Sequence, residues 1–448
     1  MSEKMKDSGV SWIGEIPEGW EVKKFKYFFE TTKGLSITKE KLTDKGIPVI
    51  SYGQIHSKYG RKVDSTKDLL PFVPEDYLRY KQALLTKGNF IFADTSEDIE
   101  GSGNFSTRTD GEGRLFAGYH TIIARLLDTK NNDFRYFMYL FDSEWFRNQI
   151  RHSVSGVKVF SITQSILKNT TILFPISLAE QKAVADYLDK QTSKFDQAQK
   201  LLKDEIERLR AYKKSLIYET VTKGLDKNVQ FKDSGMDWIG EIPEDWEVSP
   251  LKFLTTKIGS GKTPLGGAET YLDEGIMLLR SQNIYSEALR LDDVVRISEE
   301  VFREMQSTSV NKNDVLLNIT GASIGRVGFY DLDEKANVNQ HVSIIRTKID
   351  FLSPKYLFYV LQSSVGQNYI STYQFGGNRE GLNFQQIGNF RLPVPELTIQ
   401  EEISKYLDEK TNKIDQIIKI KEQQLTNLSE QRKTLIYEVV TGKRKINV

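Results

Sequence analysis

No cysteine occurs in the 448 residues, so disulfides and thiolate chemistry are excluded, and a metal site would have to rest on four histidines and the carboxylates. A reducing cytoplasm is the expected compartment. No run reaches the ~20 apolar residues of a membrane span, and the polar start MSEKMKDSG has no apolar segment behind it, so no membrane association is expected. Neither sign of charge dominates: 62 basic against 61 acidic residues leave a net charge of +1, weak support for a nucleic-acid binder working alone. The balance points to a chain that works inside a complex. Catalytic signatures are missing too, with no Asn/Asp-Pro-Pro-Tyr type motif and no glycine-rich fingerprint after a strand. GSGKTP at 259–264 approaches the Walker A pattern, but Thr256 stands where its first glycine belongs, and Pro264 falls where the phosphate-binding helix needs free N–H groups. An NTPase is therefore disfavoured, and no catalytic, cofactor-binding or metal-ligating residue is assigned.

What the chain does have is a repeat. DSGVSWIGEIPEGWEV at 7–22 returns as DSGMDWIGEIPEDWEV at 233–248, with thirteen of sixteen positions identical. YLDKQTSKFDQ at 187–197 returns as YLDEKTNKIDQ at 406–416, and SLIYETVTKG near 220 as TLIYEVVTGK near 440. The frame is duplicated while the segments between its blocks differ in length and sequence, as if two interchangeable recognition surfaces were carried on one scaffold.

Within the variable segments, IPVISYGQI at 47–55 and IMLLRSQNI at 276–284 read as buried strands with polar ends. NFIFADT at 89–95 matches DVLLNIT at 314–320, and HTIIARL at 120–126 matches HVSIIRT at 341–347. One helical stretch follows in each copy, over 134–150 and 353–370, then a polar loop and a short strand. Each segment is expected to be one α+β domain.

A heptad seam follows each domain. Leu188, Phe195, Leu202, Leu209 and Leu216 fall seven apart, with Ile206 between; Ile414, Ile418, Leu425, Leu428 and Leu435 repeat the logic. Gln199, Lys213, Lys421 and Arg432 interrupt it with polar groups that set register. Helices of about 40–45 residues make rods of roughly 60–70 Å. Paired antiparallel, they would act as a ruler with approximate two-fold symmetry; the alternative is an amphipathic helix packed on its own domain.

The repeated DSGxxWIGEIPxxWE opening, the GSGKTPLGG…LLRSQNIY…LRLDDVV run and the Pro-to-Gln junctions entering YLD…D helices closely resemble specificity subunits of Type I restriction-modification systems, over essentially the whole chain. The resemblance implies two target recognition domains in tandem, at 1–178 and 226–397, each followed by a spacer helix, at 179–225 and 398–448. Each domain would read one half of a split, asymmetric target on double-stranded DNA, and the helices would form an antiparallel coiled coil that docks two methyltransferase subunits, with restriction/translocase subunits completing the complex. This chain would be non-catalytic and bind no cofactor. S-adenosylmethionine, ATP and magnesium would serve adenine methylation, translocation and cleavage in the partner subunits.

Base edges are read by polar side chains on loops, and phosphates are held by cations and backbone N–H groups. In the second domain the DNA-binding candidates are Lys262, Thr263, Gly266, Gly267, Arg280, Gln282, Asn283, Gly321, Ser323, Arg326, Asn378 and Arg379. Those in the first are Lys33, Ser36, Ser51, Tyr52, Gln54, Thr95, Ser96, Ser155, Gly156 and Lys158. Substituting Arg280 and Asn283 together is expected to abolish recognition of one half-site. His120 and His341 recur before matching strands, as core or strand-cap histidines or as phosphate contacts, and Trp12, Trp20, Trp238 and Trp246 are expected to anchor domain to frame. A coiled-coil adaptor whose two domains bind proteins is the competing reading.

Overall fold

The β-branched and aromatic runs of both variable segments fold as strands, and the structure, a computed structural model, describes residues 4–10, 13–154, 156, 159–373 and 381–446. The chain divides into two compact units, residues 1–201 with 424–448, and residues 202–423.

In the first unit a five-stranded sheet runs in the order Phe29–Lys33, Thr121–Leu126, Phe90–Ala93, Phe105–Arg108, Lys62–Val63. A smaller sheet orders Phe116–Ala117, Ile47–Ile50 and Phe72–Val73. Phe25, Phe29, Phe90, Phe92, Phe137, Phe141 and Phe146 fill the core beneath the large sheet, with ring centres such as Phe25–Phe29 at 4.6 Å and Phe90–Phe141 at 4.9 Å. The second unit has two four-stranded sheets. One orders Thr255–Ser260, Val342–Thr347, Val315–Asn318 and Val327–Phe329; the other Val295–Ile297, Ile276–Leu279, Ala336–Val338 and Ser309–Val310. Its core mixes Val315, Leu317, Val327 and Ile345 with Leu357, Val360 and Tyr356.

Two sequence expectations change in detail. IPVISYGQI is a strand only to Ile50 and continues as the short helix Tyr52–Ser57. The stretches read as single helices are each broken once, into Phe134–Asp142 with Glu144–Arg151, and Pro354–Gln362 with Ser364–Thr372. A serine makes both breaks. Ser143 and Ser363 are extended and nearly fully buried; each hydroxyl donates to a carbonyl of the helix before it, that of Leu140 or Val360, and accepts from an N–H of the helix after it, that of Phe146 or Val365.

The long helices span Leu178–Lys223 and Leu397–Val440. Buried glutamines seat their starts. Gln181 donates to the Pro175 carbonyl at 2.9 Å and accepts from Asp133 N–H at 3.0 Å, and Gln400 repeats this with Pro395 at 2.8 Å and Ser353 at 2.8 Å. Their ends run into Gly224 and Gly442, at φ +73° and +71°, the left-handed conformation that terminates a helix cheaply.

The seam positions Leu188, Ile206, Ile414, Ile418 and Leu435 are buried, and the ends of both helices belong to domain cores. In the first unit Leu188 is fully buried in the aromatic core together with Leu435, Ile436, Val439 and Val440. In the second unit Ile217 and Val221 join Ile403 and Leu407 in the core, with Leu216 packed against it. Tyr136 hydroxyl donates to the Leu173 carbonyl at 2.8 Å and lies 3.3 Å from that of Val440; Tyr356 does the same toward Val221 and Pro393, both at 3.0 Å. The repeated LIYE-VT blocks are therefore exchanged: the copy at 215–224 completes the second unit, and the copy at 434–443 the first.

Between these ends three of the seam's polar interruptions, Lys213, Lys421 and Arg432, find partners. Lys213 pairs with Asp415 at 2.6 Å, Arg210 with Glu422 at 2.7 Å and Lys421 with Glu205 at 2.5 Å, an antiparallel register within the second unit. In the first unit Arg432 lies 3.5 Å from Asp142 and 3.4 Å from Asp196.

Candidate nucleic-acid interface

Antiparallel pairing brings the C-terminal ends of two strands and the N-terminal end of the strand between them to one edge of each domain. In the first, Lys33 faces Ile122 and Ala93 faces Thr121; in the second, Ser260 faces Ser343 and Asn318 faces Val342. The end of a strand from the other sheet joins them, since Gly118 N–H donates to Ile50 at 2.7 Å and Asn339 N–H to Leu279 at 3.0 Å.

The backbone bonds at these edges match residue for residue. Asp94 N–H donates to His120 and Ile319 N–H to His341, at 3.1 and 3.0 Å. Ile162 and Leu382 donate to the Asp94 and Ile319 carbonyls at 2.8 and 2.9 Å. Ser51 N–H is capped by the Gln54 side chain and Arg280 N–H by that of Asn283, each at 2.9 Å. Gly34 and Gly261 pass so close to the next strand that an added Cβ would fall 2.3 Å from the Gly118 carbonyl oxygen and 1.6 Å from that of Val338. One backbone frame is thus built twice, with Ser51, Asp94, Asn104 and Tyr119 standing where the second domain has Arg280, Ile319, Arg326 and Gln340.

His120 and His341 occupy the same place in this frame, at the strand start. His120 Nδ1 lies 2.8 Å from Asp94 Oδ1 and 3.4 Å from Thr95 Oγ1. His341 Nδ1 lies 2.6 Å from Thr320 Oγ1, and its Nε2 is 3.1 Å from the Gln340 amide. Both rings are held at the edge rather than in the core. His120, at φ +52°, packs on Tyr119 and Tyr52 with ring centres 4.0 and 5.5 Å away.

This edge gathers Lys33, Ser51, Tyr52 and Thr95 in the first domain, with Ser36 exposed on the adjoining loop. In the second it gathers Lys262, Thr263, Arg280, Gln282 and Arg326, with Gly321 and Ser323 in the turn after Asn318. Thr263 hydroxyl is bonded to the Gln340 side chain and Lys262 ammonium reaches the Glu304 carbonyl at 3.2 Å. Gly266 and Gly267 adopt φ +93° and +59° further along that loop.

Three candidates are corrected. Asn283 is fully buried, its amide donating to the Arg290 carbonyl at 2.8 Å and to Asp293 Oδ1 at 3.0 Å. Gln54 spends its side-chain oxygen on the Ser51 cap, and Ser96 is 5% exposed within a two-stranded pairing. These side chains shape the loop that displays their neighbours, so the Arg280 and Asn283 double substitution tests folding as much as contact. Ser155, Lys158, Asn378 and Arg379 lie outside the described residues, as does Trp12; Gly156 is exposed. Trp20 is buried and donates to Glu180 at 2.7 Å, and Trp246 is buried in the second core, as anchors should be. Residues missed by the sequence reading, Asp94, His56, Asn104, Tyr285 and Arg290, carry their signal only in the alignment of the two copies through the matched strand ends.

Among the described residues no cluster of three or more histidine or acidic side chains could hold a metal, and no helix is long and apolar enough to cross a membrane.

The profile of the family described as Type I restriction modification DNA specificity domain matches residues 17–208 and again 243–427. The chain is similar to the type I restriction enzyme MjaVIII specificity subunit of Methanocaldococcus jannaschii, 25% identical over 440 residues that cover 96% of this chain and 94% of the relative. It is also similar to the type I restriction enzyme EcoBI specificity subunit of Escherichia coli, 28% identical over 268 residues, 58% of this chain and 55% of that one. A solved structure from work on complex assembly and conformational transition of the type I R-M system shares the fold at 16% identity, with a TM-score of 0.69 over 96% of this chain and 99% of the other.

Proposed function

The chain belongs to the Type I restriction modification DNA specificity family, and we propose that it is the subunit that selects the DNA sequence, each domain reading one half of a split, asymmetric target. The observation that carries this reading is the pair of matched strand edges. Their backbone frames coincide while the side chains on them differ, as two readers of unlike half-sites require.

The reading extends to the assembly. The two long helices, held in antiparallel register by Lys213–Asp415 and its neighbours, serve as the spacer and as the dock for two methyltransferase subunits, with restriction/translocase subunits added to that core. Adenine N6 methylation from S-adenosylmethionine, and ATP- and magnesium-dependent translocation with cleavage, belong to those partners, and this chain works with them in the cytoplasm.

Mapping N6-methyladenine across the host genome with and without this gene tests the proposal. Loss of one split, asymmetric methylated motif is the expected result. An unchanged map, with an active methyltransferase copurifying with the chain, would overturn it and favour an adaptor whose domains bind proteins.

A further inference from the structure

Arg290 and Arg326 share one aromatic ring. Their guanidinium carbons lie 3.6 and 4.5 Å from the centre of the Tyr285 ring, so two exposed cations are held against one ring. Both backbones are pinned beneath them. Arg290 N–H donates to the Asn283 carbonyl at 2.9 Å and its own carbonyl accepts from the buried Asn283 amide at 2.8 Å. The Arg326 carbonyl accepts from Asn318 N–H at 2.8 Å and its N–H donates to Ser323 at 3.1 Å.

Among the described residues neither guanidinium has a carboxylate partner, although Arg108, Arg135, Arg346 and Arg432 do. Glu287, Asp415 and Glu422 line the same groove of about 890 Å³ with Tyr285, Arg290, Lys214 and Lys419; Asp415 pairs with Lys213 and Glu422 with Arg210, and among the described residues Glu287 is ion-paired to neither arginine. Two like charges on one ring repel each other, and stacking on the quadrupole offsets that only in part. An oxyanion that both could reach would turn repulsion into attraction, and guanidinium forks match phosphate oxygens two at a time.

The first domain has the same positions and a different device. Tyr285 and Arg326 correspond to His56 and Asn104 by the matched caps and strand ends, and there the Asn104 amide lies 2.8 Å from His56 Nδ1, while His56 Nε2 reaches the Thr95 carbonyl at 2.9 Å. These hydrogen bonds are made within the domain, where the Asn104 side-chain oxygen also accepts from Arg147.

We propose that Arg290 and Arg326, presented by Tyr285, form a clamp for one DNA backbone phosphate beside the half-site of the second domain, with no equivalent in the first. The clamp rests on the DNA-recognition reading and assigns these residues to positioning the duplex, not to choosing its bases.

The test is the salt dependence of binding by the full complex, purified with its methyltransferase subunits, to its cognate duplex and to a scrambled one. In Arg290→Gln/Arg326→Gln, affinity should fall on both duplexes by a similar factor, the slope of log affinity against log salt should flatten by about 0.9, the yield of one neutralised phosphate, and the methylated motif should stay the same. Arg290→Lys/Arg326→Lys should restore the slope, which separates charge from folding; Arg290→Gln alone, at an exposed position, is the control against misfolding. An unchanged slope with the motif intact would sink the clamp and leave the recognition reading standing. A motif altered in its second half with an unchanged slope would make these arginines base readers, which also overturns the clamp. Wild-type complex that fails to distinguish cognate from scrambled duplex would sink the recognition reading itself.

Discussion

The Asn283 amide is fully buried and makes hydrogen bonds to Arg280 N–H, the Arg290 carbonyl and Asp293, while Gln282 beside it is exposed and donates to Asp293 Oδ2 at 2.6 Å. In the sequence the two look alike, since both are amides at a strand end; only the direction in which the turn Ser281–Asn283 aims them tells cap from candidate reader. Asn283→Ala should leave three part-buried groups without their partner and cost about 1–3 kcal/mol, seen as a lower urea midpoint, with second half-site recognition lost alongside stability. Gln282→Ala should leave stability within about 0.5 kcal/mol and change only the second half of the methylated motif. A Gln282 variant with an unaltered motif would remove it from the candidate readers. The recurrence of His120 and His341 was legible because the histidine itself repeats. Asp94, which holds His120 most closely, was not, because the second copy has Ile319 in its place and leaves His341 Nδ1 to Thr320 alone.

At the scale of elements, the heptad spacing made the long helices legible, and matched apolar runs placed the main strands, because both follow from periodic burial. The breaks at Ser143 and Ser363 escaped the pattern, since each hydroxyl bonds the helices on both sides and lets apolar residues continue across the kink. The seam itself carries a testable charge pair. Lys213, 12% exposed, meets Asp415 at 2.6 Å. Lys213→Ala should destabilise by about 1 kcal/mol, since the Asp415 carboxylate it leaves is 33% exposed, and Lys213→Leu/Asp415→Leu should recover much of that loss; a thermal melt series that ranks the double variant lower would refute the assignment. The junction between helix and first domain has a pH signature. Burial pushes the Asp189 carboxyl up, but hydrogen bonds from Tyr139 and Lys62 together with nearby Arg135 outweigh it and hold the pKa below its ordinary value. A depressed pKa means stability that is fully present above the unfolded value near 4 and lost as pH falls through the folded one. Asp189→Asn should therefore lower Tm at pH 7, and that deficit should shrink as pH falls below about 4. A deficit independent of pH would assign it to packing.

The whole molecule is one frame used twice with its closing segments exchanged, so each compact unit depends on residues from both long helices. That exchange was invisible in the sequence, where the LIYE-VT block simply follows each domain, because nothing local says which core it completes. On the proposed ruler role it sets a geometric prediction. Seven residues inserted into each helix, at Leu201/Leu202 and at Gln423/Gln424 where the compact units divide, keep the heptad phase and the antiparallel register while adding about 10 Å. That length equals about three base pairs, but three base pairs also turn the duplex by roughly 100°, so a single heptad should lengthen the preferred spacer and weaken binding severely. Three heptads add about 31 Å, close to one turn of 10–10.5 base pairs, and should bind a target lengthened by about nine or ten base pairs better than the one-heptad variant binds any spacer. Selection of preferred spacers from a randomised library with each variant complex measures this. Equal tolerance of one and three heptads would mean that the helices do not set the spacing rigidly along the duplex.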